Sequence, residues 1–425
     1  MKIGIIGGSG LENPEILEDF KTKEVETPFG KPSSPITYGK LGSIDVFIIS
    51  RHGLKHEITP TEINNKANVF ALKNEGCKFI IATTAVNSLT EKAKRGDFVI
   101  LDQFIDFTQQ RKLTFFDKFE FGPMHVKMDN PFSEELRKKL AESCEALKFS
   151  HHKKGTVITV EGPRFSTKAE SNLFKQWGAD LVNMTTSPET ILANEAEIPY
   201  ASIATVTDYA PWEGAEESLE WLETKNMMKD NADKVKKVLL NTINSFSREQ
   251  EILKLKEKVR TIPNFPKEGI IFRDITPLLQ DKESLRKLAE LFYEKYKDTQ
   301  IDIIAGIESS GFIIAGLLAE KLNAGLALIR KPGKLPYETI KEPYSLEYGE
   351  DAVEIHKDSI KQGQKVLIVD DLIGSGETVQ AVINLVEKIG GQVLGCAFVM
   401  ELPDLKGKDK LSKYPFFSLI KFEGE

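Results

Sequence analysis

The chain has little cysteine: Cys77, Cys144 and Cys396 are its only thiols in 425 residues. Three scattered cysteines exclude a disulfide framework and a zinc knuckle and suit a reducing compartment, so a cytoplasmic location is expected. Long apolar runs are missing as well, since no stretch approaches the roughly 18 to 20 residues of a membrane span. The opening Met1-Lys-Ile-Gly-Ile-Ile has the apolar core of a short strand, and Gly-Gly-Ser-Gly follows where a secretory leader would need a longer apolar stretch. Positive charge is not in excess: 57 Lys and Arg face 64 Asp and Glu, for a net charge of −7. That balance argues against a nucleic-acid surface, so any phosphate-bearing ligand has to be caught by local geometry. There is no low-complexity tract and no internal repeat. What remains, 40% hydrophobic and 28% charged, is an ordinary globular composition on a chain too long for one domain.

Short apolar runs alternate with helical patterns, the signature of α/β domains. Strands are expected at 2–6, 44–50, 79–84, 97–101, 155–160, 181–184 and 200–207, and then at 301–305, 324–329, 365–369 and 392–400. Between the two sets lies 231–258, amphipathic, rich in Lys and Glu, and interrupted near Asn244-Ser-Phe-Ser-Arg. One helix is expected to close a first α/β domain, 1–246, and another to open a second, 247–425.

Residues 366–378 read Val-Leu-Ile-Val-Asp-Asp-Leu-Ile-Gly-Ser-Gly-Glu-Thr, and a helical pattern follows from Val379. A strand that stops at a phosphate-sized loop before a helix makes an anion site from backbone N–H groups and the helix dipole. Asp370 and Asp371 would repel phosphate but suit sugar hydroxyls or a hydrated Mg2+ beside it. A ribose-phosphate ligand is therefore expected here. The block resembles the phosphoribosyl-diphosphate (PRPP) loop of type I phosphoribosyltransferases, except for Glu377.

In the first half, Gly7-Gly8-Ser9-Gly10 follows the first strand and precedes a helical start. This is either a tight turn or a phosphate loop. Ser50-Arg51-His52-Gly53 ends another strand with a guanidinium beside an imidazole, a natural phosphate clamp. Thr83-Thr84-Ala85, Glu161-Gly-Pro-Arg-Phe165, Asn183-Met184-Thr185-Thr186-Ser187-Pro188-Glu189 and Thr205-Val-Thr-Asp208 end further strands. Ligands of open α/β sheets sit beyond the carboxyl ends of the strands, so these segments can converge on one cleft.

Together these residues resemble the trimeric nucleoside phosphorylases, and within them the 5′-methylthioadenosine phosphorylases, from Lys2 to about Phe246. The resemblance implies a mixed sheet flanked by helices. It implies that Ser9, Arg51, His52, Thr84, Ala85 (through its N–H) and Thr185 hold phosphate. It also implies that Phe165 and Met184 pack on base and ribose, that Asp208 faces N7 and the exocyclic amine as the catalytic acid, and that His125 reaches a neighbouring subunit's 5′ pocket. Members acting on adenine bases usually carry a second Asp where this chain has Ala210, which leaves open adenosine or a 6-oxo purine nucleoside as substrate. Where the family usually continues Cys-Gly after Thr84-Ala85, this chain has Val86-Asn87.

In the second half, Ile262-Pro-Asn-Phe-Pro leads to Ile271-Phe-Arg273-Asp274. Ala305-Gly-Ile-Glu308-Ser309-Ser310-Gly311 joins a strand to a helix, Arg330-Lys331-Pro-Gly-Lys334 puts cations at a strand end, and Pro343-Tyr344-Ser-Leu-Glu347-Tyr348 forms a loop. With the Asp-Asp loop, the order resembles adenine phosphoribosyltransferase from about Glu249 onward, with a parallel sheet and a hood. The resemblance implies that Asp370 and Asp371 bind the ribose hydroxyls of PRPP. The N–H groups of Gly374, Ser375, Gly376, Glu377 and Thr378, with the Ser375 and Thr378 hydroxyls, would cradle its 5′-phosphate. Lys331 and Lys334 would meet a pyrophosphate that carries Mg2+, and no protein group would ligate the metal directly. Glu347 would act as acid/base, Tyr348 would belong to a covering loop, and Ile271, Leu372 and Arg273 would hold adenine. Ser310 stands where an Arg is usual and Glu377 where Gly is commonest, so a degenerate module that senses PRPP or AMP stays open. The resemblances imply trimers for the first half and dimers for the second, and a hexamer would satisfy both.

Overall fold

The computed structural model describes residues 1–8, 17–118, 122, 124–212, 215–216, 221–346 and 349–424. Ser9, Glu347 and Tyr348 lie outside them. The chain packs into two units, Met1–Arg248 and Glu249–Glu425.

Strands β1 (Lys2–Gly7), β2 (Glu18–Lys23), β3 (Ile36–Leu41) and β4 (Ile44–Ser50) open the first unit. Then come α1 (Asn65–Asn74), β5 (Phe79–Ser88), β6 (Phe98–Ile100), β7 (Gln103–Phe107) and α2 (Glu134–Ala146). β8 (His151–His152), β9 (Thr156–Val160), α3 (Lys168–Gln176), β10 (Leu181–Asn183), α4 (Thr186–Glu195), β11 (Tyr200–Tyr209) and α5 (Trp221–Lys258) follow. The mixed sheet runs β2-β3-β4-β1-β5-β10-β9-β7, and β11 joins β5 to β6. Its residues alternate between two faces, as period-2 strands must. Ile6, Phe47, Ile49, Ala204 and Val206 pack with Val69 and Leu72 of α1 and Leu192 of α4. Ile3, Ile5, Val46, Ile48 and Ile203 pack with Leu136 and Leu140 of α2 and with Val238, Leu239, Ile243 and Phe246 of α5. Helices on both faces leave the sheet's strand ends as the open place for a ligand.

The second unit contains β12 (Arg260–Pro263), β13 (Ile271–Asp274), α6 (Thr276–Gln280), α7 (Lys282–Tyr296), β14 (Ile303–Ile307), α8 (Ser310–Leu322) and β15 (Gly325–Ile329). It continues with β16 (Thr339–Leu346), β17 (Gly349–His356), β18 (Lys365–Ile373), α9 (Glu377–Lys388), β19 (Gln392–Glu401), α10 (Gly407–Lys410) and β20 (Phe416–Lys421). A parallel sheet runs β15-β14-β18-β19-β20, beside the two-stranded ribbons β12-β13 and β16-β17. α8 covers one face through Ile314 and Leu318, whereas α9 covers the other through Val382, Ile383 and Val386. β14 and β18 are direct neighbours, yet the helices that follow them leave to opposite faces. This is a topological switch point, where doubly wound sheets open a crevice at the carboxyl ends of the strands.

Two helices were expected around residue 246, but α5 runs unbroken to Lys258. The segment 244–248 contains neither Gly nor Pro, and its Asn and Ser residues each lose under about 1 kcal/mol of helix propensity relative to Ala. The Ser245 hydroxyl donates to the Thr242 carbonyl at 2.7 Å, satisfying itself within the helix.

Candidate active sites in the two units

In the first unit the carboxyl ends of β4, β5, β10 and β11 surround a cavity of about 730 Å3. Gly8, Arg51, His52, Thr84, Ala85, Thr185, Phe165, Met184 and Asp208 all line it. His125 is exposed in the segment between β7 and α2 and is not among the lining residues.

One end of the cavity is suited to an anion. Thr185 is the N-cap of α4, makes no side-chain cap bond, and leaves the helix N-terminus facing the cavity. Its hydroxyl is 3.5 Å from the Thr84 hydroxyl, which accepts from Asn183 Nδ2 at 3.1 Å. Arg51 is 2% exposed, and its guanidinium is largely engaged by the protein. Nε donates to Glu189, Nη2 donates to Glu189 Oε2 at 3.0 Å, and Nη1 donates to the Thr83 carbonyl at 2.8 Å. Glu189 in turn accepts from the Tyr200 hydroxyl at 2.9 Å. Burial works against the Arg51 charge, but the Glu189 carboxylate more than compensates and holds its pKa above the ordinary value. Arg51 thus meets a ligand as half of a buried ion pair, not as a free cation. The His52 ring is fixed by Nδ1 against the Ile58 carbonyl at 2.8 Å and stacks on His56.

The other end is suited to a planar base. Phe165 is 65% exposed and its ring is open to a partner. Asp208 is buried, and its Oδ1 takes Arg95 Nε at 3.0 Å, Arg95 Nη2 at 2.9 Å and the Tyr209 N–H at 2.8 Å. This is the geometry of a hydrogen-bond acceptor. Arg95 also reaches Glu216 at 3.1 Å and lies over the Tyr209 ring. Sequence reasoning did not single out Arg95. It precedes β6 and does not follow the carboxyl end of a strand, and the pairing of β11 with β6 brings it to Asp208.

In the second unit Asp370 and Asp371 occupy the crevice at the switch point. Asp370 Oδ1 accepts the Asp371 N–H at 2.8 Å. Burial and the neighbouring Asp371 charge push Asp370 well above the ordinary carboxylate range, and burial raises Asp371 as well. Gly311 permits this approach, since a Cβ there would lie 2.8 Å from Asp370 Oδ1 and 3.0 Å from the Val369 carbonyl. The loop Gly374-Ser375-Gly376 turns into α9 with Gly376 at φ +85°. A Cβ on Gly376 would lie 2.8 Å from the Gly407 carbonyl, so α10 closes against the loop.

Glu377 is turned onto Lys410, with which it forms an ion pair. The Tyr344 hydroxyl donates to Asp351 Oδ2 at 3.3 Å. The loop and the α9 N-terminus offer backbone N–H groups as a phosphate cradle. Lys331 and Lys334 are exposed after β15, and Lys331 pairs with Asp351 at 3.0 Å. Arg330 pairs with Glu308 at 2.8 Å across the β14–α8 loop. Leu372 lies in β18, whereas Ile271 and Arg273 lie on the separate β12-β13 ribbon, with Arg273 over the Phe422 ring. Among the described residues no cluster of three or more His, Cys, Asp or Glu could hold a metal ion, and no helix is long and apolar enough to cross a membrane.

Residues 2–244 match the phosphorylase superfamily, and residues 274–424 match the phosphoribosyl transferase domain. The S-methyl-5′-thioadenosine phosphorylase of Xenopus tropicalis is 49% identical over 247 residues, covering 57% of this chain and 88% of the relative. That of Thermofilum pendens is 46% identical over 253 residues, covering 59% and 94%. Among solved structures, methylthioadenosine phosphorylase from Schistosoma mansoni in complex with adenine superposes with a TM-score of 0.55 at 38% identity, covering 58% of this chain and 92% of that one. The chain belongs to the phosphorylase superfamily through its first unit and carries a phosphoribosyl transferase domain in its second.

Proposed function

We propose that the chain is a bifunctional purine-salvage enzyme whose two units act in turn on C1′ of a ribose. In the first, a phosphate oxygen bonds to C1′ of 5′-methylthioadenosine while the C1′–N9 bond breaks. Its electron pair leaves on adenine, which takes a proton, and 5-methylthioribose 1-phosphate forms. The observation that carries this reading is the single cavity with an anion end at Arg51, His52, Thr84, Ala85 and Thr185 and a base end at Phe165, Met184 and Asp208. The names of the relatives support it. Phosphate bound at the α4 N-terminus would stabilise the positive charge that develops on C1′. Ser9 would complete the phosphate site, and His125 of a neighbouring copy would close the 5′ pocket.

In the second unit, adenine N9 bonds to C1′ of PRPP, the C1′–O bond breaks onto pyrophosphate, N9 loses its proton, and AMP results. Asp370 and Asp371 at the switch point support ribose recognition there. Glu347 would take the proton, Lys331 and Lys334 would meet the pyrophosphate, and Ile271, Leu372 and Arg273 would hold the base. Mg2+ usually keeps several waters beside substrate phosphates, so Asp370 and Asp371 fit a hydrated ion that arrives with PRPP, without ligating it directly. That ion would neutralise the leaving pyrophosphate.

The ion pair that holds Lys331 on Asp351, away from a pyrophosphate, favours a second reading of this unit, as a module that binds PRPP or AMP without turnover. Adenine, PRPP and Mg2+ supplied to the full chain distinguish the two, since turnover yields AMP and a sensor yields none. 5′-Methylthioadenosine and phosphate without PRPP, scored for free adenine, test the first unit. Adenosine and inosine in the same assay test the alternative nucleosides.

A further inference from the structure

The base end of the first cavity holds a side chain that the reading above leaves unused. Asn87 lies in β5 between β10 and β11, paired with Val182 on one side and Asp208 on the other. Residues paired across adjacent strands share a face of the sheet, and Asn87, Val182 and Asp208 all line the cavity. The Asn87 carboxamide forms no hydrogen bond among the described residues and is half-buried. Its polar neighbours are committed: Thr207 donates to the Val86 carbonyl at 3.2 Å, and Ser166 bonds Ser171 at 2.8 Å. Ala210 is buried with Trp212 and Leu89 and brings no polar group.

Asp208 presents itself as an acceptor, because Arg95 and the Tyr209 N–H converge on its Oδ1. A 6-aminopurine offers a donor at its exocyclic amine and an acceptor at N7. Asp208 complements the first of these. The second needs a donor beside Asp208, and a carboxamide supplies one. We infer that Asn87 binds the purine base by donating Nδ2–H to N7 while Asp208 accepts from the exocyclic amine. The pair then selects a 6-amino base and rejects a 6-oxo base, whose carbonyl would face the Asp208 carboxylate. During departure of the base, charge gathering at N7 is met by an amide N–H, and the enzyme transfers no proton there. This rests on the phosphorylase reading and names the residue that sets its base specificity.

The test is equilibrium binding of nucleosides to the full chain by calorimetry, without phosphate. 5′-Methylthioadenosine is compared with its 7-deaza counterpart, which has C–H in place of N7. Wild type should favour the natural nucleoside by roughly three- to tenfold, the size of one neutral hydrogen bond. Asn87→Ala and the shape-conserving Asn87→Asp should lose that preference while binding the 7-deaza compound through the remaining contacts. A preference that survives in both variants overturns the inference and leaves the phosphorylase reading intact. If wild type binds neither nucleoside, both fall together. Equal losses for both nucleosides also overturn the inference, because they mark a general change of the pocket.

Discussion

Arg51 and Glu189 carry opposite charges in a place where water cannot screen them, so each depends on the other. Breaking a buried pair by removing one partner typically costs about 3 to 5 kcal/mol. Glu189→Gln should therefore lower the unfolding temperature by several degrees in calorimetry. The double variant Arg51→Met, Glu189→Leu should lose less than either single change, because no lone charge is left behind. Asp370 has the opposite sense. Its carboxyl is held well above the ordinary range by burial and by Asp371. A carboxyl raised in the folded state stabilises it fully below the unfolded value, near 4, and this contribution is lost as pH rises through the folded value. Asp370→Asn should accordingly gain thermal stability over wild type as pH climbs from about 4 to 8. A gap that shrinks over that range would contradict the assignment.

Strands and helices set what each of these residues can reach. The strands with continuous apolar runs were legible in the sequence, because a strand buried on both faces leaves little room for polar residues. β2 (Glu-Asp-Phe-Lys-Thr-Lys) and the β16-β17 ribbon were not, since their sequences are largely polar and the ribbon sets only alternate residues such as Val353 and Ile355 on the core. Strand-end motifs such as Arg51-His52 and Asp370-Asp371 could be read as site residues because the carboxyl edge of a parallel sheet is where ligands bind. Their partners could not be read, because Glu189, Arg95 and Lys410 are brought to them by pairings more than 30 residues apart in sequence. Lys410 illustrates the consequence, since α10 lays it on Glu377 at the start of α9. Lys410→Met should free a carboxylate beside the phosphate loop and raise the KM for PRPP by roughly two- to fivefold, the range of a partly exposed pair. Adding Glu377→Gly should restore it. An unchanged KM in Lys410→Met would show that the pair does not shield the loop.

At the scale of the whole molecule, two different α/β units stand on one chain, and under the proposed function the base that one releases is the base that the other consumes. Phosphorolysis of a nucleoside is readily reversible, so removing adenine would draw the first reaction forward. Assembly as a trimer or hexamer belongs to the same proposal, with His125 contributed across copies. Sedimentation should then give three or six times the mass of the 47.7 kDa chain. The most direct measurement of the account follows the purine of 5′-methylthioadenosine, labelled in its base, through the full chain with phosphate, PRPP and Mg2+. The account predicts that the label passes into AMP, and that without PRPP it halts as free adenine. Label that halts as adenine even with PRPP and Mg2+ present would contradict it.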